Sequence, residues 1–183
     1  MEVRTRSAPE GRSKGPAFST TGPPLPRRLE AAEGYAEVFE VVKESVRRVL
    51  GKERTGLGLA LAELPPGLGA YWPVTGNVIV LNEALVRSMR LIARNRGEFN
   101  SFLYVILSHE YLHTLGYLSE GSVRPVTAYV ARASFGPDHP ATRMAQGDLW
   151  QMYPELRWAR PRTAAGLRLV RDFDAESVRA YIR

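Results

Sequence analysis

The segment His109-Glu110-Tyr111-Leu112-His113 carries two histidines and a glutamate at the spacing of one helical turn. Residues four apart in an α-helix lie on one face, about 6 Å apart along the axis, so both imidazoles can reach one metal ion. Glu110 is rotated about 100° from His109, which sets its carboxylate beside the ion rather than on it. There it can take a proton from a water that zinc has acidified towards a pKa of ~7. The pattern predicts a Zn²⁺ site with Glu110 as the catalytic base.

The competing interpretation of this segment is a pair of core histidines and a buried glutamate without a metal. In a chain of this His and Glu content the pattern is expected by chance roughly 0.004 times. Two imidazoles and a carboxylate inside an apolar helix would also need several well-placed hydrogen-bond partners, because unpaired buried polar groups are costly. The metal interpretation is therefore favoured.

A tetrahedral catalytic zinc takes three protein ligands and one water, so a third ligand is needed beyond the motif. His139 is the only other histidine of the chain, in the sequence Gly136-Pro137-Asp138-His139-Pro140. Pro140 is suited to the first position of a helix, which would put His139 at a helix entrance after a rigid turn. We expect the metal ligands to be His109, His113 and His139.

Glu120 is the alternative third ligand, seven residues after His113. In a continuous helix it would lie about 10.5 Å further along the axis, too far to bind the same ion. Only a sharp turn at Gly116 could bring it back. If His139 is the ligand, we expect Glu120 to pair with Arg124 instead.

The helix that carries the motif is predicted over Glu98–Leu118, and it is apolar on nearly every side. Such a helix belongs in a core or a membrane. His109, Glu110 and His113 interrupt a stretch of barely 20 residues, which argues against a membrane span. We interpret it as a core helix with polar groups placed in it.

The remaining periodicities predict an α+β domain over residues 29–183, with a small antiparallel or mixed sheet packed on the motif helix. We expect a helix from Leu29 to Gly51, a helix capped by Asn82, and two strands joined as a hairpin through Thr75-Gly76. The other predicted elements are a strand at Gly56–Leu64, helices at Ser122–Phe135 and Pro140–Tyr153, a strand near Leu167–Asp172 and a short helix after Asp174.

The length and composition of the chain limit the number of domains and the kinds of chemistry that it can contain. A chain of 183 residues suits one domain, and the absence of Cys excludes disulfides, iron–sulfur clusters and cysteine nucleophiles. Residues 1–28 are rich in Pro, Gly, Ser and Arg, and we expect a disordered tail. No apolar run follows their basic start, so we expect a cytoplasmic protein without a signal peptide.

The formal net charge of +6 comes largely from this tail, which carries net +4, whereas the predicted domain carries net +2. The basic isoelectric point is therefore not evidence for nucleic-acid binding. The tail's cations could contact nucleic acid or an acidic partner, but we expect simple solvation.

On these residues the chain resembles the zincin metallopeptidases, and it is similar in particular to small SprT-like intracellular zincins. The resemblance covers roughly Ala70–Tyr153. It implies a zincin-like fold, His109 and His113 as motif ligands, and a His opening a later helix, here His139, as the third. It further implies that the strand before the active helix, Tyr71–Leu81, offers its edge to an extended peptide.

The sequence thus predicts a zinc-dependent metallohydrolase, most simply a peptidase acting on a peptide or protein substrate. Two alternatives stay open. One is a non-catalytic, zinc-stabilised scaffold that acts as a binding or regulatory module. The other is a nucleic-acid-associated protease, which depends on the tail and on the resemblance alone.

Overall fold

The computed structural model describes residues 23–161 and 166–174. In this part of the chain two helices precede three consecutive strands, and five further α-helices, a 3₁₀ helix and a last strand follow, so the α+β prediction is confirmed. The strands are β1 (Gly58–Ala62), β2 (Ala70–Tyr71), β3 (Val78–Asn82) and β4 (Arg168–Val170). The helices are α1 (Leu25–Ala31), α2 (Tyr35–Leu50), α3 (Glu83–Ile92), α4 (Arg96–Thr114), α5 (Glu120–Phe135), α6 (Pro140–Gln146) and α7 (Leu149–Met152), and a 3₁₀ helix spans Pro154–Trp158.

The sheet has the strand order β2-β3-β1-β4. β1 and β3 run parallel, with Leu59 opposite Ile79, and the two outer pairings are antiparallel. β2 and β3 form the predicted hairpin. Because β3 lies between β2 and β1, it offers no free edge to a peptide, so the substrate strand implied at Tyr71–Leu81 is reduced to β2 at the sheet's edge.

The motif helix α4 runs through the middle of the domain, as its apolar composition predicts. Its residues pack against α1, α2, α5 and α6, and residues from Phe102 to Leu107 are all buried. Asn95 caps its first turn by accepting a hydrogen bond from the Glu98 amide at 2.9 Å. The Asn100 side chain donates to the carbonyls of Leu29 and Ala32, each at 2.8 Å, which ties α4 to the end of α1.

Several predicted boundaries are wrong in instructive ways. The single helix expected from Leu29 is two helices, and α1 begins at Leu25, inside the segment predicted as a tail, because Leu25 is buried in the core. The helix expected over Pro140–Tyr153 is interrupted at Gly147, after which Asp148 caps α7. The short helix predicted after Asp174 lies outside the described residues.

Among the helices of residues 23–161 and 166–174, none has the length and apolarity that a membrane crossing requires.

Candidate metal centre

The structure brings His109, His113 and Glu120 together at the end of α4. The Nε2 atoms of the two histidines are 3.2 Å apart, and the Glu120 Oε1 atom is 3.3 Å from Nε2 of His109 and 3.4 Å from Nε2 of His113. This is the one group of three His, Asp or Glu ligand atoms within metal-binding range among the residues described. The three atoms form a nearly equilateral triangle beside a cleft that His109 and Glu120 help to line.

The end of α4 explains how Glu120 reaches the motif. The Gly116 amide bonds to the His113 carbonyl at 3.1 Å, and the Tyr117 amide bonds to the Leu112 carbonyl at 3.2 Å. These two bonds are the Schellman arrangement, and Gly116 takes the positive φ of 99° that it requires. The helix therefore ends at Thr114 rather than at Leu118. The chain then turns back, and Glu120 becomes the first residue of α5, beside the two imidazoles.

Hydrogen bonds orient the ligand atoms towards the centre of the triangle. The Nδ1 of His113 lies 2.7 Å from the Tyr117 carbonyl, to which only a protonated Nδ1 can donate. This bond assigns the proton to Nδ1 and leaves the Nε2 lone pair free for a metal, the arrangement common to metal-binding histidines. On the other side, Arg124 Nε donates to Glu120 Oε2 at 3.2 Å and leaves Oε1 to face the histidines. The predicted Glu120–Arg124 pair is present, and it is compatible with Glu120 as a ligand.

Protonation states at the triangle also suit a cation. Burial is the largest influence on His109 and lowers its pKa, although the Glu120 carboxylate acts in the opposite direction. Burial of Glu120 acts to raise its pKa, but His109, Arg124 and His113 outweigh it and hold the pKa of Glu120 below its ordinary value. Neutral imidazole and ionised carboxylate are the forms that bind metal ions.

The residues present fit zinc in geometry and in donor type. Zinc binds imidazole nitrogen and carboxylate oxygen at about 2.0–2.2 Å, so tetrahedral ligand atoms around it stand about 3.3–3.5 Å apart. The observed separations of 3.2, 3.3 and 3.4 Å match that spacing. The fourth corner of such a tetrahedron has no His, Cys, Asp or Glu partner among the described residues.

His139 is not part of this group, and the expectation that it supplies the third ligand does not agree with the geometry. It is the N-cap of α6, where its Nδ1 accepts a hydrogen bond from the Ala141 amide at 3.1 Å. Its ring stacks on Phe135 with centroids 4.8 Å apart, and its Nε2 is buried without a hydrogen-bond partner. The local capping bond and the stacking fix the imidazole away from the triangle, and Glu120 occupies the position predicted for it.

Glu110 lies next to the triangle and is only 6% exposed. No Lys or Arg among the described residues forms an ion pair with it. Burial is the main reason that its pKa is raised to about 7, the charge of Glu120 adds to the effect, and the backbone amide of Trp72 opposes it. A carboxyl group of this pKa can both accept and return a proton near neutral pH.

A cleft of about 370 Å³ opens beside the triangle. Its lining includes residues 67–70, which lead into the edge strand β2, and Arg124 and Thr127 of α5. Leu85, Phe102 and Ile106 contribute apolar surface, and His109, Glu110 and Glu120 contribute polar groups. The cleft therefore combines apolar surface with the polar groups of the candidate site.

The effect of the Trp72 amide on the pKa of Glu110 could not be derived from sequence. Trp72 and Glu110 are almost forty residues apart in the chain, and the effect depends on how the β2–β3 hairpin packs against α4.

No protein-family model, no curated protein and no solved structure matches this chain.

Proposed function

We propose that the protein is a zinc-dependent hydrolase, and that its substrates are peptides or proteins. The observation that carries the proposal is the triangle of His109, His113 and Glu120 ligand atoms at tetrahedral zinc spacing, with the buried Glu110 carboxyl beside it. Donor set, spacing and adjacent base together are the requirements of a hydrolytic zinc centre. The arrangement supports the zincin resemblance, with a glutamate in place of the expected third histidine.

His109, His113 and Glu120 would hold the ion, which when bound acidifies a water and polarises a substrate carbonyl. The protein's own contribution to the reaction is the handling of one proton. Glu110, with its pKa raised to about 7 by burial, takes the proton from the attacking water and delivers it to the leaving amine. Arg124 keeps Glu120 turned towards the two imidazoles throughout.

The cleft supports a peptide as substrate. β2 is an edge strand of the sheet, and the segment that leads into it, residues 67–70, lines the cleft. An extended peptide can add to such an edge by main-chain hydrogen bonds, which recognise backbone rather than a particular sequence. The apolar lining residues Leu85, Phe102 and Ile106 would then receive a side chain of the substrate.

The alternative of a non-catalytic zinc scaffold is less favoured by the same geometry. A structural zinc site is closed by four protein ligands, whereas this group offers three. A buried glutamate without a cationic partner also costs stability, and a structural site has no use for it. The zinc scaffold has no feature of its own in its favour.

Elemental analysis and a digestion assay test the proposal. Protein purified with zinc in excess and then desalted should contain about one zinc per chain. It should cleave a casein or peptide substrate in a manner that a chelator abolishes and added zinc restores. Absence of stoichiometric zinc would contradict the metal centre, and stoichiometric zinc without chelator-sensitive cleavage would favour the scaffold.

A further inference from the structure

A polar side chain outside the metal centre, that of Arg54, connects three segments that meet near Glu110. Its NH1 donates to the Thr114 carbonyl at 3.2 Å, directly after His113 at the end of α4. Its NH2 donates to the Gly76 carbonyl at 2.9 Å, in the turn between β2 and β3. The guanidinium also lies over the Trp72 ring, 5.4 Å from the centroid. One side chain thus joins the end of the metal helix to the hairpin that contains the edge strand.

The turn that Arg54 contacts is strained. The Gly76 amide bonds to the Pro73 carbonyl at 2.8 Å, which closes a four-residue turn over residues 73–76. Thr75, its third residue, has φ of 73°, as in a type II turn, where glycine is preferred. A β-branched residue in this region is an outlier that persists only where surrounding contacts determine the backbone. Here those contacts include two donors to the Gly76 carbonyl: the Arg54 NH2 and the Trp72 Nε1 at 2.8 Å.

The turn matters because of what precedes it. Trp72 follows β2 directly, and its indole Nε1 donates to the Gly76 carbonyl of the turn at 2.8 Å. If the 73–76 turn relaxed, Trp72 and the adjoining edge strand would shift relative to α4.

We propose that Arg54 is a positioning residue, which holds the strained 73–76 turn against the end of α4 and so fixes the edge strand β2, which precedes the turn, relative to that helix. Its effect on turnover rests on the proposed function, whereas its effect on the turn does not. Positioning errors well below the size of a side chain are enough to slow a reaction substantially.

The backbone of Arg54 is anchored independently of its side chain, which makes the substitution informative. The Tyr111 hydroxyl accepts from the Arg54 amide at 2.7 Å and donates to the Arg54 carbonyl at 3.1 Å. Arg54→Ala keeps both bonds and removes only the contacts to Thr114, Gly76 and Trp72. Arg54→Lys restores the charge but has one ammonium group in place of the two-sided guanidinium.

The first measurement needs no substrate. In the zinc-loaded protein, amide hydrogen exchange at Trp72 and Gly76, followed by NMR, should accelerate at least tenfold in Arg54→Ala and less in Arg54→Lys. Amides of α4 and the zinc content should be unchanged. Arg47→Ala, which removes an exposed arginine with a single 3.9 Å contact to Glu53, is the matched control and should have no effect. Unchanged exchange at both amides in Arg54→Ala would overturn the proposal.

The second measurement uses a peptide that the wild-type protein cleaves. Arg54→Ala should lower kcat/KM about tenfold or more, because the edge strand proposed to hold the peptide shifts relative to α4, and adding Thr75→Gly should recover part of the loss by relaxing the turn. A wild-type kcat/KM in Arg54→Ala would overturn the positioning role in turnover. If the wild-type protein cleaves nothing, the proposed function fails, and hydrogen exchange still decides whether Arg54 holds the turn.

Discussion

Two glutamates of α4 have similarly small exposed fractions, but Glu98 lies nearer the protein surface than Glu110, and their electrostatic settings are opposite. Glu98, in the first turn, is 4% exposed, and Glu110, near the last turn, is 6% exposed. Arg94 donates to Glu98 from its side chain and from its backbone amide, and the Tyr153 hydroxyl donates to it at 2.7 Å. These donors, with the Arg94 side chain foremost, hold the pKa of Glu98 at about 2, whereas burial raises the pKa of Glu110 to about 7.

The difference shows that a small exposed fraction alone does not determine what an acidic side chain does. At the start of α4 the carboxylate is surrounded by donors, stays ionised and ties the helix to its neighbours. Near the end of α4 the carboxyl group has an anionic neighbour in Glu120 and, among the described residues, no arginine in an ion pair with it, so its charged form is disfavoured and the group can exchange a proton. A perturbed pKa of this kind, in a cleft beside a candidate metal site, is typical of a catalytic group.

Glu110→Gln should cause the largest loss of activity. Removal of a general base typically costs about 10²–10⁴-fold in rate, because the amide cannot take the proton. Zinc content should stay at the wild-type level, since Glu110 is not a ligand. Cleavage of a peptide substrate and elemental analysis of the same preparation measure the two quantities. Wild-type cleavage by this variant would refute the role of Glu110.

Glu98→Gln should show the opposite profile, with cleavage retained and stability reduced. Hydrogen bonds to a charged group contribute about 1.5–3 kcal/mol each at most, and the Arg94 side chain is largely exposed, so we expect a loss of about 1–2 kcal/mol in the free energy of unfolding. Urea unfolding of the two glutamine variants side by side measures the contrast. Equal destabilisation by both would remove the distinction between the two carboxyl groups.

The acid dependence of stability sharpens the same contrast. The folded-state pKa of Glu98, about 2, is lower than its ordinary value of 4.5. The stability that its ionised carboxylate contributes is therefore fully present above pH 4.5 and is lost as the pH falls towards 2. The free energy of unfolding of the wild-type protein should therefore decrease more steeply between pH 4.5 and 2 than that of Glu98→Gln. Parallel curves for the two proteins would contradict the pKa assignment.

Gly116→Ala should have a smaller effect, and it should act at the C-terminal end of α4, where the two histidines lie. Alanine disfavours the φ of 99° at which the chain turns back to Glu120. The substitution should lower the free energy of unfolding by about 1 kcal/mol or more and zinc affinity roughly tenfold. Gly136→Ala is the matched control, because Gly136 ends α5 with φ of 85° and an added Cβ has no close neighbour at either position. It should lower stability without changing zinc affinity. Equal zinc affinities in the two variants would contradict the role of the Gly116 turn.

Local patterns predicted much of this molecule. The motif helix, the hairpin and the Asn82 cap follow from periodicity and short-range chemistry, and all three are present. The place of Glu120 in the triangle did not follow, because a continuous helix after His113 puts Glu120 too far away. The Schellman turn at Gly116 brings Glu120 back to the histidines, and its geometry depends on how α5 packs against α4. His139 lies outside the triangle, because a helix-entrance histidine can also use its own nitrogen as the cap.

Zinc affinity of Glu120→Ala and His139→Ala, measured by competition with a chromophoric chelator, tests the metal centre most directly. Loss of an outer partner of a metal ligand typically costs about 10–100-fold, so loss of a true ligand should cost at least that much. We predict this loss for Glu120→Ala and an affinity within twofold of wild type for His139→Ala. Weakened binding in His139→Ala with unchanged binding in Glu120→Ala would contradict a centre built from His109, His113 and Glu120.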